Sequence, residues 1–286
     1  MVRVSDVPFV KGHGTGNDFV VLPDLDGRLD LTVERVRWLC DRRMGIGGDG
    51  VLRVVRCASD PEFAEFQDVA EFFMDYRNAD GSLAEMCGNG ARVFVRYLHA
   101  TGALSSRTTV IATRAGLIEA EVLGAEAEEI AIGMGAAIDE GSPLPITVHH
   151  GDHAWDAISV HVPNPHAVTY VDNLELIGSL QSSPQVTPEA AFPHGVNVEF
   201  VERLEAGHLR MRVHERGVGE TMSCGTGACA VAWATAIAEP AESLDTYRID
   251  VPGGTVYVDI ASDGRLTLRG PAELVARGTL QWPRGL

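Results

Sequence analysis

The strongest constraint on the fold of this chain is an internal repeat. Cys87 and Cys224 lie in closely similar stretches, Met-Cys-Gly-Asn-Gly and Ser-Cys-Gly-Thr-Gly, 137 residues apart. At the same offset Asn78 aligns with Glu215, nine residues before each cysteine. Because self-similarity along a chain reflects repeated structural units, the sequence predicts two halves with one common fold.

Each half shows the same order of predicted elements. Strand-like runs at 71–76 and 209–213 lead to a polar corner, and a helix-like run follows each cysteine. The first helix is predicted over 91–98, and the second continues to Ala238. Since the second helix is apolar nearly all round, we expect it to be buried inside its own half.

The repeat continues upstream of the cysteines at an offset of 147, where Asn17 aligns with Asn164 and Gly50 with Asn197. Alternating strand patterns and helices together predict an α/β chain whose halves meet near residues 133–137. Duplicated halves commonly form their active site in the cleft between them, and we expect that here. The predicted division is 1–133, then 134–270, with a last strand within 271–286 that returns to the first half.

Composition narrows the possible partners and compartment. The formal net charge of −17 opposes binding to nucleic acid or to anionic membranes. With no predicted signal peptide or membrane span, we expect a cytoplasmic protein. Five cysteines without a C-x-x-C pair argue against a disulfide framework, and Cys40 and Cys57 are predicted to be buried thiols in a helix and a strand.

Two cysteines at two helix starts suggest proton-transfer chemistry. A helix N-terminus favours the thiolate, and flanking glycines let backbone N–H groups approach an anion. Two thiols on opposite faces of a carbon could invert a stereocentre, one as base and one as acid, without metal or pyridoxal phosphate. His166, Glu215 and His214 are candidates to tune the thiols. The alternative is that both cysteines are ordinary buried thiols beside tight turns.

Motifs along nearly the whole chain resemble the diaminopimelate epimerase family. They are found at residues 14–19 (GTGNDF), 45–50 (GIGGDG), 77–81 (RNADG), 86–90 (MCGNG), 164–166 (NPH), 196–198 (VNV), 214–217 (HERG) and 224–227 (CGTG). The resemblance implies two pseudo-symmetric domains, each a barrel-like, mostly antiparallel sheet around a central helix. It also implies interconversion of LL- and meso-diaminopimelate, in lysine and peptidoglycan precursor biosynthesis, without a cofactor or metal, and a possible homodimer.

The resemblance also implies roles for residues at the matching positions. Cys87 and Cys224 would be the acid/base pair, with His166 and Glu215 assisting them. Substrate contacts would come from Asn17, Asn78, Asn164, Asn197, Glu215 and Arg216, and from the backbone N–H groups of Gly88, Asn89, Gly225 and Thr226. One departure is Gly50, which stands where many relatives have Gln, so no side-chain contact is expected there.

Other interpretations remain open from the residues alone. The run from Gly45 to Gly50 matches G-x-G-x-x-G, but a helix precedes it and a strand follows, the reverse of a dinucleotide site. Proline racemases use the same two-thiol logic, although they typically have His at the place of Asn89. A thiol-based metal or redox site at Cys224 and Cys229, and a non-catalytic binder of diamino acids, are further alternatives.

Overall fold

A computed structural model of the chain describes residues 6–138, 145–239, 243–283 and 285–286. The chain divides into two compact units. Unit 1 comprises Met1–Ile132 and Pro271–Leu286, and unit 2 comprises Gly133–Gly270. None of the helices in the described ranges has both the length and the apolar character that a bilayer crossing requires.

The elements follow one another in the order that the repeat predicts. The first half of the chain contains β1 (Val7–Gly14), β2 (Asn17–Pro23), α1 (Val33–Cys40), β3 (Gly50–Arg56), β4 (Phe72–Asn78), α2 (Gly88–Ala100), β5 (Thr108–Thr113), β6 (Gly116–Leu123) and β7 (Glu129–Ala136). The second contains β8 (Ile146–His150), β9 (His153–Val162), β10 (Asn164–Tyr170), β11 (Gln185–Thr187), β12 (Asn197–Glu205), β13 (His208–Glu215), β14 (Gly219–Thr221), α3 (Gly225–Ala238), β15 (Thr246–Val251), β16 (Gly254–Ile260) and β17 (Arg265–Gly270). The last strand is β18 (Glu273–Leu280).

In unit 1 the strands pair in the order β18, β1, β2, β3, β4, β5, β6, β7. The pairs β2–β3 and β4–β5 are parallel, and the others are antiparallel. Helix α2 packs against β1, β2, β18 and β6. The sheet therefore curves around a central helix.

Unit 2 repeats this arrangement. Its strands pair in the order β8, β9, β10, β12, β13, β15, β16, β17, and the parallel pairs are again the third and fifth, β10–β12 and β13–β15. Short strands β11 and β14 add to β8 and β13. Helix α3 packs against β9, β10, β12, β16 and β17. The predicted duplication and fold class are thus confirmed.

Both central helices begin directly after a cysteine. Helix α2 starts at Gly88, three residues earlier than predicted, because the Cys87 side chain caps its first turn. It is buried nearly all round, and even Arg92 is fully buried, with its Nη2 donating to Thr15 Oγ1 at 3.0 Å. The expected burial of α3 is confirmed up to Ala236, since Ala228, Ala230, Val231, Ala232 and Ala234 are fully inaccessible.

The other two cysteines of the first half are buried, as predicted, but one lies in a different element. Cys40 is the last residue of α1. Cys57 is not in a strand; it begins a 3₁₀ turn directly after β3 and contributes to an apolar cluster with Phe63 and Phe73. Burial raises the pKa of Cys40 to about 12 and that of Cys57 to about 11, which keeps both as inert thiols.

A buried carboxylate organises one side of unit 1. Asp75 on β4 is 1% exposed and lies 2.6 Å from Arg114, 3.0 Å from Arg77 and 3.5 Å from Arg53. Burial alone would raise the pKa of Asp75, but hydrogen bonds from Arg77 and Arg114 outweigh it and lower the pKa. This ionised carboxylate therefore holds three strand and turn positions together.

Candidate active site

Each unit contains a cysteine that caps its central helix. Cys87 and Cys224 have extended backbone conformations, and each sulfur accepts a hydrogen bond from the backbone N–H three residues on, Gly90 N and Gly227 N, at 3.4 Å. Serine, threonine or aspartate usually occupies this position. A sulfur there is close to the positive end of the helix dipole and to free N–H groups, which favours a thiolate.

In unit 1 an amide lies against the thiol. Asn17, at the start of β2, accepts a hydrogen bond at its Oδ1 from the Cys87 thiol at 3.7 Å and from Asn89 Nδ2 at 3.3 Å. Its own Nδ2 donates to Asp49 Oδ2 at 2.8 Å. Three predicted site residues of unit 1, Asn17, Cys87 and Asn89, therefore form one hydrogen-bonded group.

The other predicted residues of unit 1 lie near this group without sharing its hydrogen bonds. Asn78 ends β4, and its Nδ2 donates to Ser82 Oγ at 3.0 Å inside the following turn. Gly88 is buried as the first residue of α2, so its N–H lies among those that have no acceptor within the helix.

Unit 2 holds a buried histidine between two polar partners. His166 on β10 is fully buried, with Nδ1 at 2.6 Å from Glu199 Oε1 and Nε2 at 2.8 Å from Asn164 Oδ1. Glu199 on β12 is also fully buried. The two strands run parallel, which brings the side chains to one face. His166 and Asn164, both predicted from the sequence, are thus in hydrogen-bond contact. Glu199, which was not predicted, is the third member of this group.

Cys224 lies among groups that oppose its ionisation. Burial raises its pKa well above the usual value, and the nearby carboxylates of Glu215 and Glu199 raise it further, while hydrogen bonds from Thr226 and Gly227 lower it. The expectation that the helix start lowers this pKa is therefore wrong for Cys224, because desolvation and two neighbouring carboxyl groups outweigh the capping N–H.

Glu215, at the end of β13, is one of the two carboxyl groups that raise the pKa of this thiol. Burial raises its pKa, and the neighbouring Glu199 adds to the effect, whereas the Thr221 hydroxyl, His166 and Cys224 lower it. The Thr221 Oγ1 donates to Glu215 Oε1 at 2.5 Å. A raised pKa makes this carboxyl group easier to protonate than an ordinary glutamate, which suits a role beside a reacting thiol.

Asn197 and Arg216 form a second polar corner of unit 2. The backbone N–H of Arg216 donates to Asn197 Oδ1 at 3.0 Å, which fixes the amide at the start of β12. The Asn197 Nδ2 is buried and has no hydrogen-bond partner among the described residues. Arg216 is exposed and lines a surface cavity of about 560 Å³, with its Nη1 donating to His194 O at 3.2 Å. This corner offers two kinds of N–H donor to an anion.

The remaining predicted residues of unit 2 occupy the first turn of α3. Gly225 is buried and Thr226 is half-buried, and the Thr226 Oγ1 lies 3.4 Å from the Cys224 sulfur. Their backbone N–H groups, like that of Gly88, belong to the turn whose donors have no acceptor within the helix. They are available to an anionic ligand.

His214 does not belong to this group, which corrects one expectation. It neighbours Glu215 on β13, and successive residues of a strand point to opposite faces. Burial lowers the pKa of His214, and the charged groups that act on it are His150 and Glu220. It therefore cannot tune the thiols by direct contact.

Two residues that contact predicted site residues by hydrogen bonds, Asp49 and Glu199, were not predicted from the sequence. Asp49 belongs to the Gly-rich run 45–50, which is one of the motifs behind the family resemblance, but no role was predicted for its side chain. Glu199 was recognisable from the repeat, because it is a charged residue at the position where the first half has the apolar Leu52. Among the described residues, no group of three or more His, Cys, Asp or Glu side chains could hold a metal ion.

Sequence comparison with known families adds an independent finding. The family model described as diaminopimelate epimerase matches residues 9–138 and 158–275. A diaminopimelate epimerase of Streptomyces coelicolor is 47% identical over 287 residues, covering 98% of both chains. One from Corynebacterium glutamicum is 44% identical, covering 96% of this chain and 98% of its own.

Solved structures with much lower identity share the fold. A Bacillus anthracis phenazine biosynthesis protein of the PhzF family is 17% identical, with a TM-score of 0.67 over 97% of this chain and 100% of its own. A hydroxyproline epimerase from Agrobacterium vitis, with bound trans-4-hydroxy-L-proline, is 16% identical, with a TM-score of 0.61 over 98% and 94%. These likenesses concern architecture alone.

Proposed function

The chain belongs to the diaminopimelate epimerase family, and we propose that it interconverts LL- and meso-diaminopimelate by proton transfer at one α-carbon. The observation that carries the proposal is the pair of thiols at repeat-related positions, each capping a helix through a 3.4 Å hydrogen bond. Each thiol thus has the same local means of stabilising its anion.

The reaction needs one thiolate and one thiol, assigned to opposite faces of the α-carbon. The thiolate removes the α-hydrogen as a proton, and the electron pair of the C–H bond moves into the adjoining carboxylate as an enediolate. The thiol of the other cysteine then protonates the carbon from its own face, so the stereocentre inverts and the two cysteines exchange protonation states. Cys87 and Cys224 are the proposed pair, acting without a metal or pyridoxal phosphate.

The first turns of the two central helices supply the positive potential that the enediolate requires. We assign the N–H groups of Gly88, Asn89, Gly225 and Thr226 to the reacting carboxylate. His166 and Glu215 assist in unit 2, where Glu215 and Glu199 add to the burial that raises the pKa of Cys224.

The polar corner of unit 2 suits the distal end of a diamino dicarboxylic acid. Arg216 and the unpartnered Asn197 Nδ2 are donors for a carboxylate, and Glu215 is an acceptor for an ammonium group. Asn17, Asn78 and Asn164 complete the proposed substrate contacts, since an amide can both donate and accept.

The test is incubation of the purified protein with LL-diaminopimelate in heavy water. We expect formation of the meso isomer and incorporation of solvent deuterium at the α-carbon. Unexchanged substrate after long incubation would reduce the protein to a binder and refute the proposal. L-Proline serves as the second substrate, because its racemisation in place of diaminopimelate exchange would assign the chain to a different reaction.

The roles of the thiols are tested by Cys87→Ala and Cys224→Ala. Since a positioned acid or base contributes roughly 10²–10⁴ in rate, each substitution should lower kcat by at least about 100-fold. Cys57→Ala and Cys229→Ala are matched controls, because they remove a buried thiol from each unit outside the proposed site. Near-normal turnover by either site variant would remove that cysteine from the mechanism.

We further propose a cytoplasmic homodimer that acts in lysine and peptidoglycan precursor biosynthesis. Support for the compartment comes from the unpaired Cys40 and Cys57, which suit a reducing environment. The homodimer has support only from the family resemblance. Light scattering on the purified chain distinguishes a dimer from a monomer of 30.7 kDa.

A further inference from the structure

Asn17 and Asn164, which correspond in the repeat, have their side-chain amides held in opposite senses. Asn17 donates its Nδ2 to Asp49 at 2.8 Å, and this leaves its Oδ1 facing the Cys87 thiol as an acceptor. Asn164 instead has its Oδ1 at 2.8 Å from His166 Nε2. The Asn164 Nδ2 hydrogens are consequently directed away from His166. One amide is therefore set as an acceptor and its counterpart as a donor.

The difference arises from a polar pair that replaces an apolar one. At the offset of 147, His166 corresponds to Phe19 and Glu199 to Leu52, and all four side chains are fully buried. Phe19 and Leu52 lie beneath the first turn of α2, and Glu199 lies beneath the first turn of α3, as contacts at Gly90 and Gly227 show. The backbone is thus duplicated while the support under each thiol differs.

Both ring nitrogens of His166 face oxygen atoms, at 2.6 Å and 2.8 Å. An N–H at each nitrogen would donate to both oxygens, from Nδ1 to Glu199 and from Nε2 to Asn164. The other titratable groups that act on this pair are Glu215 on β13 and Cys224 at the start of α3.

We propose that Glu199 and Asp49 are positioning residues that set Asn164 as a hydrogen-bond donor and Asn17 as an acceptor. Glu199 acts through His166, whose second hydrogen occupies the Asn164 carbonyl oxygen and directs the amide N–H groups toward a substrate carboxylate. Asp49 accepts one of the Asn17 amide hydrogens and thereby directs the Asn17 oxygen toward an S–H or ammonium donor. The inference takes its substrate from the proposed function, and the orientation of the two amides from their hydrogen-bond geometry.

The decisive measurement is the ¹⁵N spectrum of the His166 ring, assigned by its loss in His166→Phe. At pH 7 the wild-type ring should be protonated at both nitrogens, and in Glu199→Gln it should lose one hydrogen. Glu199→Asp, which keeps the charge, should retain both. A wild-type ring with one bare nitrogen, or an unchanged ring in Glu199→Gln, would overturn the role of Glu199, and the wild-type spectrum decides even if the variant does not fold.

Kinetics show whether the orientation serves the substrate. Losing one oriented hydrogen bond to a charged group corresponds to a 10- to 100-fold rise in KM for diaminopimelate, with a smaller change in kcat, expected for Glu199→Gln and for Asp49→Asn. Glu202→Gln on the same strand and Asp26→Asn in unit 1, both in ion pairs outside the site, should stay within about two-fold. Unchanged KM in both site variants would overturn the proposal.

Inactivity of the wild-type protein has a separate meaning. It would refute the proposed function, while the His166 spectrum, which needs no substrate, would still decide whether Glu199 positions the ring.

Discussion

The two glycines at the third position of the central helices provide a matched pair of substitutions. A Cβ added at Gly227 would lie 2.7 Å from Glu199 Oε1, closer than real Cβ contacts allow. A Cβ at Gly90 would lie 3.3 Å from Leu52 Cδ2 and 3.4 Å from Phe19 Cζ, which asks only for small shifts. We therefore expect Gly227→Ala to destabilise unit 2 more than Gly90→Ala destabilises unit 1.

The difference in unfolding free energy follows from the hydrogen bond that the Glu199 carboxylate must lose. Both substitutions gain about the same helix propensity, roughly 1 kcal/mol for Gly to Ala, so this contribution cancels in the comparison. To make room at Gly227, the buried carboxylate of Glu199 must turn away from His166 Nδ1 and lose a charged hydrogen bond of about 1.5–3 kcal/mol. The difference between the two variants should therefore be about 1.5–3 kcal/mol.

The assay is urea unfolding followed by tryptophan fluorescence, with each unit observed separately. Trp38 and Trp282 lie in unit 1, and Trp155 and Trp233 lie in unit 2, so replacing one pair by Phe leaves reporters for the other unit. Equal losses of unfolding free energy in Gly90→Ala and Gly227→Ala would show that Glu199 is not held against His166 as described. A larger loss for Gly90→Ala would refute the contact argument altogether.

Three further results are expected. Because burial raises the pKa of Glu215, its protonated form stabilises the fold below the ordinary value of 4.5, and this stability is lost as the pH rises through the raised pKa. In Glu215→Gln, urea midpoints between pH 4 and 8 should lack that loss; the same pH dependence as wild type would contradict it. Asp75→Asn should cost about 3–5 kcal/mol in urea unfolding at pH 7, since it leaves Arg77 and Arg114 short of a buried counter-charge, whereas Arg53 retains Asp24. A loss below 1 kcal/mol would show that the network contributes little. In native protein at pH 8, iodoacetamide should modify Cys87 before Cys40 and Cys57, whose pKa values of about 12 and 11 keep them protonated. Mass spectrometry of peptides decides the order, and early loss of Cys40 would be contrary to the burial argument.

Much of the fold follows from the repeat, for a physical reason. Strand alternation and helix periodicity recur at fixed offsets, so an ambiguous run in one half is supported by its copy in the other. Element ends were less predictable, because Cys87 caps α2 with a sulfur that ordinary capping preferences do not include. Cys57 was placed in a strand because its apolar neighbours continue the pattern of β3 past the turn.

The sequence predicted the candidate site residues that lie within recognisable motifs. It did not predict the residues that support them. Nothing in a single sequence states that Glu199 faces His166 or that His214 faces away from Glu215, since both depend on which face of each strand is inward. The alternation of β12 and β13 could have separated His214 from Glu215, because adjacent residues cannot share a face. For Glu199 the available signal was that the second half has a carboxylate at the position where the first half has Leu52.

The side chains that differ between the two halves allow a duplicated fold to act on an asymmetric substrate. Two identical halves would present each thiol in the same surroundings, so they could not distinguish the reacting end of a diamino acid from its distal end. Unit 1 supports its thiol with Phe19 and Leu52, whereas unit 2 has the His166–Glu199 pair and, at the position equivalent to Asn78, the carboxyl group of Glu215. A buried ionic pair is rarely the most stable filling for a site that an apolar pair can occupy. Its presence under only one of the two helices therefore agrees with the proposal that the His166–Glu199 pair positions the substrate, whereas unit 1 has apolar support alone.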